Sequence, residues 1–388
     1  MIADRAPVLT TPQIGQQIGR RGLRVALIHY WLVTMRGGEK VLESLCRMFP
    51  DADIFTHVYS PEAISPLIRR HRITTSFISR LPQPARRYKS YLPLMPLALE
   101  QLDLRGYDLV ISCEAGPAKG IIPAPDALHV CYCHSPMRYI WNMYHDYRER
   151  SGRLKQLAMV PLSHYIRNWD AVSAMRVDRF IANSDNVRRR IARYYERDAA
   201  VVYPPVATED FTPLPPDSAE NFYLMVGELV AYKRPDLAVN AFNRTGRRLV
   251  VIGGGEMLSE IRQLAGPTVS VLGPQPFAVL RDHYARCHAL IFPGEEDFGI
   301  VPLEAMASGR PVLAYARGGA LETVDEGVSG LFFDTQSTDS IIDGISRMDR
   351  FQVDQPAILA HSRRFSEPVF RARMGDLLTQ WLPAGAVR

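Results

Sequence analysis

Short runs rich in β-branched and aromatic residues alternate with stretches carrying apolar residues at helical spacing, and this alternation most narrows what the chain can fold into. From Leu23 the chain reads LRVALIHYW, breaks at Arg36-Gly37-Gly38, and continues from Glu39 to Phe49 with helical periodicity. The pattern recurs as YDLVISC (Tyr107–Cys113), ALHVCYC (Ala127–Cys133) and RVDRFIANS (Arg176–Ser184). Parallel strands need crossover connections that cover both sheet faces, so an alternating chain predicts α/β architecture with parallel sheets.

The 388 residues suffice for two domains at roughly 100 to 200 residues each. Tyr203-Pro204-Pro205 opens a segment to Asn221 with five prolines and no period, the composition of a linker. Beyond it the alternation resumes with NFYLMVG, a helix from Pro235 to Phe242, RRLVVIGGG, TVSVLG, a helix to His288, ALIFPG, a helix from Val301 to Ser308 and RPVLAYA. The predicted organisation is a disordered leader (1–22), an N-terminal domain (23–205), a Pro-rich linker (206–220), a C-terminal domain (221–364) and a terminal helical segment (365–388) able to pack on either domain.

No run approaches the roughly 18 to 20 apolar residues of a membrane span, and the leader lacks the apolar core of a signal peptide. Five cysteines, an odd number scattered through predicted elements, do not form a disulfide framework, so a reducing cytoplasm is the expected location. Net charge is +5 but divides unevenly: the first 200 residues carry +11 and the rest −6, so an anionic partner is expected for the first half. Residues 63–99 hold seven cations (Arg69, Arg70, Arg72, Arg80, Arg86, Arg87, Lys89) and no acid, among Phe77, Tyr88, Tyr91, Leu92, Leu94, Met95 and Leu97. That mixture suits peripheral docking on an anionic membrane, and no nucleic-acid motif accompanies it.

The densest chemical signal is Pro293-Gly-Glu-Glu-Asp-Phe-Gly-Ile-Val-Pro-Leu-Glu304. A helix opening near Ile300 would aim the amides of Gly299, Ile300 and Val301 at an anion, with Glu296 just before its end and Glu304 one turn inside. Two carboxylates beside such amides suit a ligand bearing hydroxyls and phosphate.

This segment resembles the E-x7-E signature of the family 4 retaining glycosyltransferases. Arg36-Gly-Gly-Glu-Lys40, Tyr132-Cys-His-Ser-Pro-Met-Arg138, Ile181-Ala-Asn-Ser184, Tyr203-Pro-Pro-Val206, Tyr232-Lys-Arg-Pro-Asp236 and Gly318-Gly-Ala-Leu-Glu322 extend the resemblance from about Leu23 to Phe370. It implies a GT-B fold, two Rossmann-like domains facing across a cleft. Among branches it is most similar to bacterial mannosyltransferases of exopolysaccharide and O-antigen (lipopolysaccharide) assembly, implying GDP-mannose as donor, a polyprenyl-diphosphate-linked glycan as acceptor, and no metal or other cofactor. A UDP-sugar donor such as UDP-glucose is the alternative.

Carried over by motif, Glu296 holds donor-sugar hydroxyls, Glu304 the ribose, and the amides of Phe298, Gly299, Ile300 and Val301 the sugar and diphosphate. Lys233 neutralises the diphosphate. His134 faces the donor sugar, Arg138 meets the acceptor, and Gly37 and Gly38 let the first loop approach the donor. One departure stands out: the family's arginine before this lysine is replaced by Glu228 in Gly227-Glu228-Leu229. Either Glu228 turns away and Arg234 supplies the second cation, which is the expectation, or catalysis is impaired and the chain is a sugar-nucleotide-binding scaffold.

Three other patterns are assigned to structure. Cys131-Tyr-Cys133-His134 resembles a zinc site, but alternate strand residues face opposite sides. Asp51-Ala-Asp53 follows a helix in the wrong architecture for a metal-binding D-x-D, and Gly253-Gly254-Gly255 lacks the third glycine of a dinucleotide loop.

Overall fold

The computed structural model describes residues 22–382, so the predicted leader, Gly22 apart, lies outside the described residues. The chain forms two compact units: it leaves the first at Pro205, builds the second from Val206 to Glu367, and rejoins the first at Pro368.

The first unit is built on a seven-stranded sheet whose paired neighbours all run parallel. Its strands are β1 (Val25–His29), β2 (Asp53–Thr56), β3 (Ile73–Thr75), β4 (Leu109–Glu114), β5 (Leu128–Cys133), β6 (Arg179–Ala182) and β7 (Ala199–Val201), in the order β3-β2-β1-β4-β5-β6-β7. Strand periodicity sends Leu27, Ile111, Val130 and Tyr132 to one buried face. Ala26, Ile28, Val110, Cys131 and Cys133 go to the other. Helix α1 (Gly37–Met48) covers the first face with Val41, Leu42, Leu45 and Cys46, while α2 (Arg153–Ser173) and α3 (Asp185–Tyr195) follow β5 and β6.

The terminal helix, Glu367–Trp381, also joins this first face. Phe370, Met374 and Leu378, at four-residue spacing, enter the core with Leu382, and the Phe370 ring lies 5.8 Å from that of Tyr132. Each such side chain contributes about 1.5–3 kcal/mol on burial. The sequence allowed either domain; apolar complementarity selects the first.

The second unit carries β8 (Tyr223–Val226), β9 (Leu249–Ile252), β10 (Val269–Gly273), β11 (Ala289–Phe292), β12 (Val312–Tyr315) and β13 (Gly330–Phe333) in a six-stranded parallel sheet, order β10-β9-β8-β11-β12-β13. Among its helices are α4 (Pro235–Thr245) and α5 (Ile300–Ala307). The segment 206–220, expected as a linker, belongs to this unit. Phe211 is buried, with its ring 5.7 Å from those of Phe277 and Tyr284.

Candidate functional site

In each sheet the strand order reverses direction once, between β1 and β4 in the first unit and between β8 and β11 in the second. Open parallel sheets bind ligands beyond the carboxyl ends of strands at such a point. The loops leaving β8 and β11 carry Lys233 and Glu296.

Lys233 Nζ lies 2.8 Å from Glu296 Oε1, and both side chains remain partly exposed, at 16% and 21%. A β-carbon on Gly294 would sit 2.7 Å from Lys233 Cα, so glycine is what lets the β11 loop come this close to the β8 loop. The Gly319 amide donates to the Glu296 carbonyl at 2.8 Å, fixing the loop from its other side. Burial alone would lower the Lys233 ammonium, but Glu296, with Tyr232 and Glu228, holds it above its ordinary value.

Helix α5 opens at Ile300 behind Gly299, whose φ of +91° requires a residue without a β-carbon. Ile300 and Val301 are partly exposed at this end. The Phe298 ring is buried, 5.9 Å from that of Phe365, so only its backbone can meet a ligand. Glu304 lies one turn inside the helix and accepts from Tyr284 Oη at 2.7 Å. Burial raises the Glu304 carboxyl, against the hydrogen bond of Tyr284 and the charge of Lys233.

Arg234 is turned toward Asp236. Its backbone turns left-handed at φ +52° and its guanidinium is held by Asp236, Nε to Oδ1 at 3.0 Å and Nη2 to Oδ2 at 2.8 Å. Glu228 is exposed and close enough to Lys233 to raise its ammonium. Lys233 thus pairs with Glu296, and the Arg234 guanidinium pairs with Asp236.

In the first unit, Gly38 lies against His134. A β-carbon there would meet Tyr30 Oη at 2.6 Å and stand 3.6 Å from both His134 Nε2 and His29 Cε1. Gly37 begins α1, and Glu39 reaches back to accept from the Arg36 amide at 2.9 Å. Burial and the neighbouring His29 lower His134 to about 3, against the pull of Glu39, so its imidazole is neutral at physiological pH. The ring of His134 lies 5.2 Å from that of Tyr132, whereas Cys131 and Cys133 pack on the opposite face. Arg138 follows four residues on, in a partly exposed turn.

Sequence reasoning missed His29 and Glu39, whose Nε2 and Oε1 are 3.5 Å apart at almost no exposure. It also missed a fully buried cluster of Glu114, Lys119 and Asp170. The signal for the latter was an acid and a lysine inside the apolar stretch Ile111–Ile121. Asp53 is tied to Arg72 and Tyr107. A β-carbon on Gly253 would stand 1.8 Å from the Gly227 carbonyl oxygen, a close backbone approach that accounts for that glycine. Among the described residues no group of three or more His, Cys, Asp or Glu could hold a metal ion.

Two family models match in sequence order: "Glycosyltransferase Family 4" over residues 35–210 and "Glycosyl transferases group 1" over residues 206–350. The chain belongs to the family 4 glycosyltransferases. This family 4 chain is 28% identical over 244 residues to the D-inositol 3-phosphate glycosyltransferase of Thermobifida fusca, covering 54% of the chain and 52% of that protein. It is 31% identical over 195 residues to the GDP-mannose-dependent alpha-(1-6)-phosphatidylinositol monomannoside mannosyltransferase of Mycobacterium tuberculosis, covering 42% and 51%. It thus spans about half the length of the curated relatives it matches. Among solved structures it is similar to Anabaena HepE in complex with UDP and glucose, at TM-score 0.67 and 15% identity over 92% of this chain and 99% of that one. The fold class is GT-B, with a Rossmann-like sheet in each unit. No helix among the described residues is long and apolar enough to cross a membrane.

Proposed function

We propose that the chain transfers a hexose, mannose from GDP-mannose, to a polyprenyl-diphosphate-linked oligosaccharide with retention of configuration, in the assembly of a bacterial surface or exopolysaccharide. The observation that carries this reading is the Lys233–Glu296 pair at the switch point of the second unit, with Glu304 beside it. The mannosyl donor is supported by the relative named as GDP-mannose-dependent.

The departing diphosphate gains negative charge as the glycosidic bond breaks. Lys233 lies where that charge develops, so it stabilises the transition state more than the ground state. Glu296 accepts from sugar hydroxyls, Glu304 from the ribose, and the first amides of α5 donate to the diphosphate. Same-face attack, with the departing oxygen assisting deprotonation of the acceptor hydroxyl, needs no protein nucleophile. Lys233 supplies the positive charge, so the reading requires no metal.

The first unit is assigned the acceptor, with Arg138 toward its anionic or glycan part and neutral His134 as a hydrogen-bonding group. Exposed Arg69, Arg70, Arg80, Arg86, Arg87 and Lys89, with exposed Leu94 and Leu97, support docking on the inner face of the plasma membrane. The aromatics of that stretch are used internally: Tyr88 packs on Trp31 at 4.7 Å and Tyr91 donates to the Pro82 carbonyl at 2.6 Å.

Calorimetric titration with GDP, GDP-mannose, UDP and UDP-glucose, without metal, tests the donor. Preference for the guanine nucleotides supports the reading; preference for UDP replaces it with a UDP-sugar transferase. Glu228 favours a second reading, a nucleotide-sugar-binding scaffold, which single-turnover transfer from any donor would exclude.

A further inference from the structure

The carboxyl ends of β4 and β5 enclose a charged cluster that the proposed reaction does not use. Lys119, Asp170 and Glu114 are fully buried. Asp170, on α2, holds Lys119 through one carboxylate oxygen. Its other oxygen accepts from Trp141 Nε1 at 2.7 Å and from Tyr195 Oη at 2.9 Å. Lys119 Nζ also lies 4.6 Å from the centroid of the Tyr195 ring. Glu114, the last residue of β4, accepts from the Ala118 and Lys119 amides at 2.9 and 2.8 Å, while its carbonyl accepts from the His134 amide at 2.8 Å.

Taking these charges out of water costs several kcal/mol per ion, so such a cluster is a weak source of stability. Its product is fixed geometry, and the bonds converge on one segment. That segment starts at His134, carries Arg138 and ends at Trp141, whose ring stacks on Tyr194 at 4.6 Å. Between them the chain folds back, the Ile140 and Trp141 amides donating to the Met137 carbonyl at 3.1 and 3.2 Å. Met137 and Ile140 are buried with Ile166 of α2. One end of the segment is tied to Glu114 and the other to Asp170.

We propose that Asp170 is a positioning residue for sugar transfer, holding the His134–Trp141 segment through the Trp141 indole so that His134 and Arg138 stand where the reaction needs them. The proposal rests on the transferase reading and on its use of those two residues. Asp170 itself touches no substrate.

Two single substitutions in the full chain remove one hydrogen bond each from the same Asp170 oxygen. Trp141→Phe deletes the bond to the segment and keeps a ring on Tyr194; Tyr195→Phe deletes the bond to α3, outside the segment. Turnover of Trp141→Phe should fall on the order of tenfold to a hundredfold, as expected for a displaced catalytic segment. Its GDP affinity, a property of the second unit, should not change, and Tyr195→Phe should keep its turnover. The indole N–H resonance that disappears in Trp141→Phe should be protected from solvent exchange in the parent protein. Normal turnover in Trp141→Phe overturns the proposal, as does an equal loss in both variants tracking their unfolding midpoints. Absence of transfer by the parent protein refutes the transferase reading instead, and the positioning role with it.

Discussion

Lys233 Nζ and Glu296 Oε1 stand 2.8 Å apart, so two groups assigned to different parts of the donor neutralise each other in the free protein. Under the proposed reading, donor entry replaces this pair, diphosphate taking the place of Glu296 beside the ammonium. On that reading the two side chains have opposite effects on nucleotide affinity while both serve transfer. Lys233→Ala should lower turnover by roughly a hundredfold to a thousandfold and weaken GDP binding. Glu296→Gln should lose transfer while binding GDP about two- to fivefold more tightly, because it frees a partly exposed cation. Steady-state kinetics with calorimetry checks both; wild-type transfer in either contradicts the assignment.

On the proposed reading Glu304 offers a separate handle on the nucleoside. Tyr284 fixes one of its oxygens, and burial already raises its carboxyl. Glu304→Gln should weaken binding of the intact nucleotide about tenfold, the equivalent of one charge-assisted hydrogen bond. Calorimetry should show no comparable effect on a ribose-free diphosphate such as pyrophosphate.

Glu228 is the residue whose replacement should help. Arg234 is engaged by Asp236, Glu228 is close enough to raise the Lys233 ammonium, and on the proposed reading its carboxylate would oppose the diphosphate. Glu228→Arg is expected to tighten GDP-sugar binding about tenfold and to raise turnover. Unchanged affinity would mean that Glu228 lies outside the diphosphate's field.

Four buried groups contribute to the pH dependence of stability. Burial lowers His57 and His129 to about 4 and His134 to about 3, so their contributions are present above the ordinary value of 6.5 and lost as pH falls toward the folded values. Glu114 has the opposite sign: burial raises it to about 7, so its contribution is complete below the ordinary 4.5 and lost as pH rises through about 7. Among these four, three histidines outweigh one glutamate between those ordinary values, so together they should make stability fall on acidification through that window. Denaturant titrations should show this direction, and Glu114→Gln should gain stability over the parent at pH 8 relative to pH 5.

The central strands were legible because a strand buried on both faces is a continuous apolar run, as in Val25–His29 and Leu109–Glu114. The edge strands Ile73–Thr75 and Ala199–Val201 were not; three half-buried residues leave no pattern. The placement of Lys233 and Glu296 was legible because they lie on loops that the alternation puts at strand ends, and that of Glu304 because it lies one turn inside the helix that follows. The partner of Arg234 was not legible: a left-handed turn and an acid two residues on direct its guanidinium to Asp236. His29 with Glu39, and Asp170 with Trp141, join residues distant in sequence or on different elements, where only packing reveals the partner.

The return of the chain to its first unit orders how that unit can be made. Phe370, Met374 and Leu378 complete a core whose other members, from Val25 to Val202, leave the ribosome long before them. The whole of Val206–Glu367 emerges in between, so the second unit has its full sequence available for folding while the first still exposes the apolar surface under its missing helix. A chain truncated after residue 367 should therefore carry a protease-resistant second unit and a protease-sensitive first one, and restoring the last residues should protect the first.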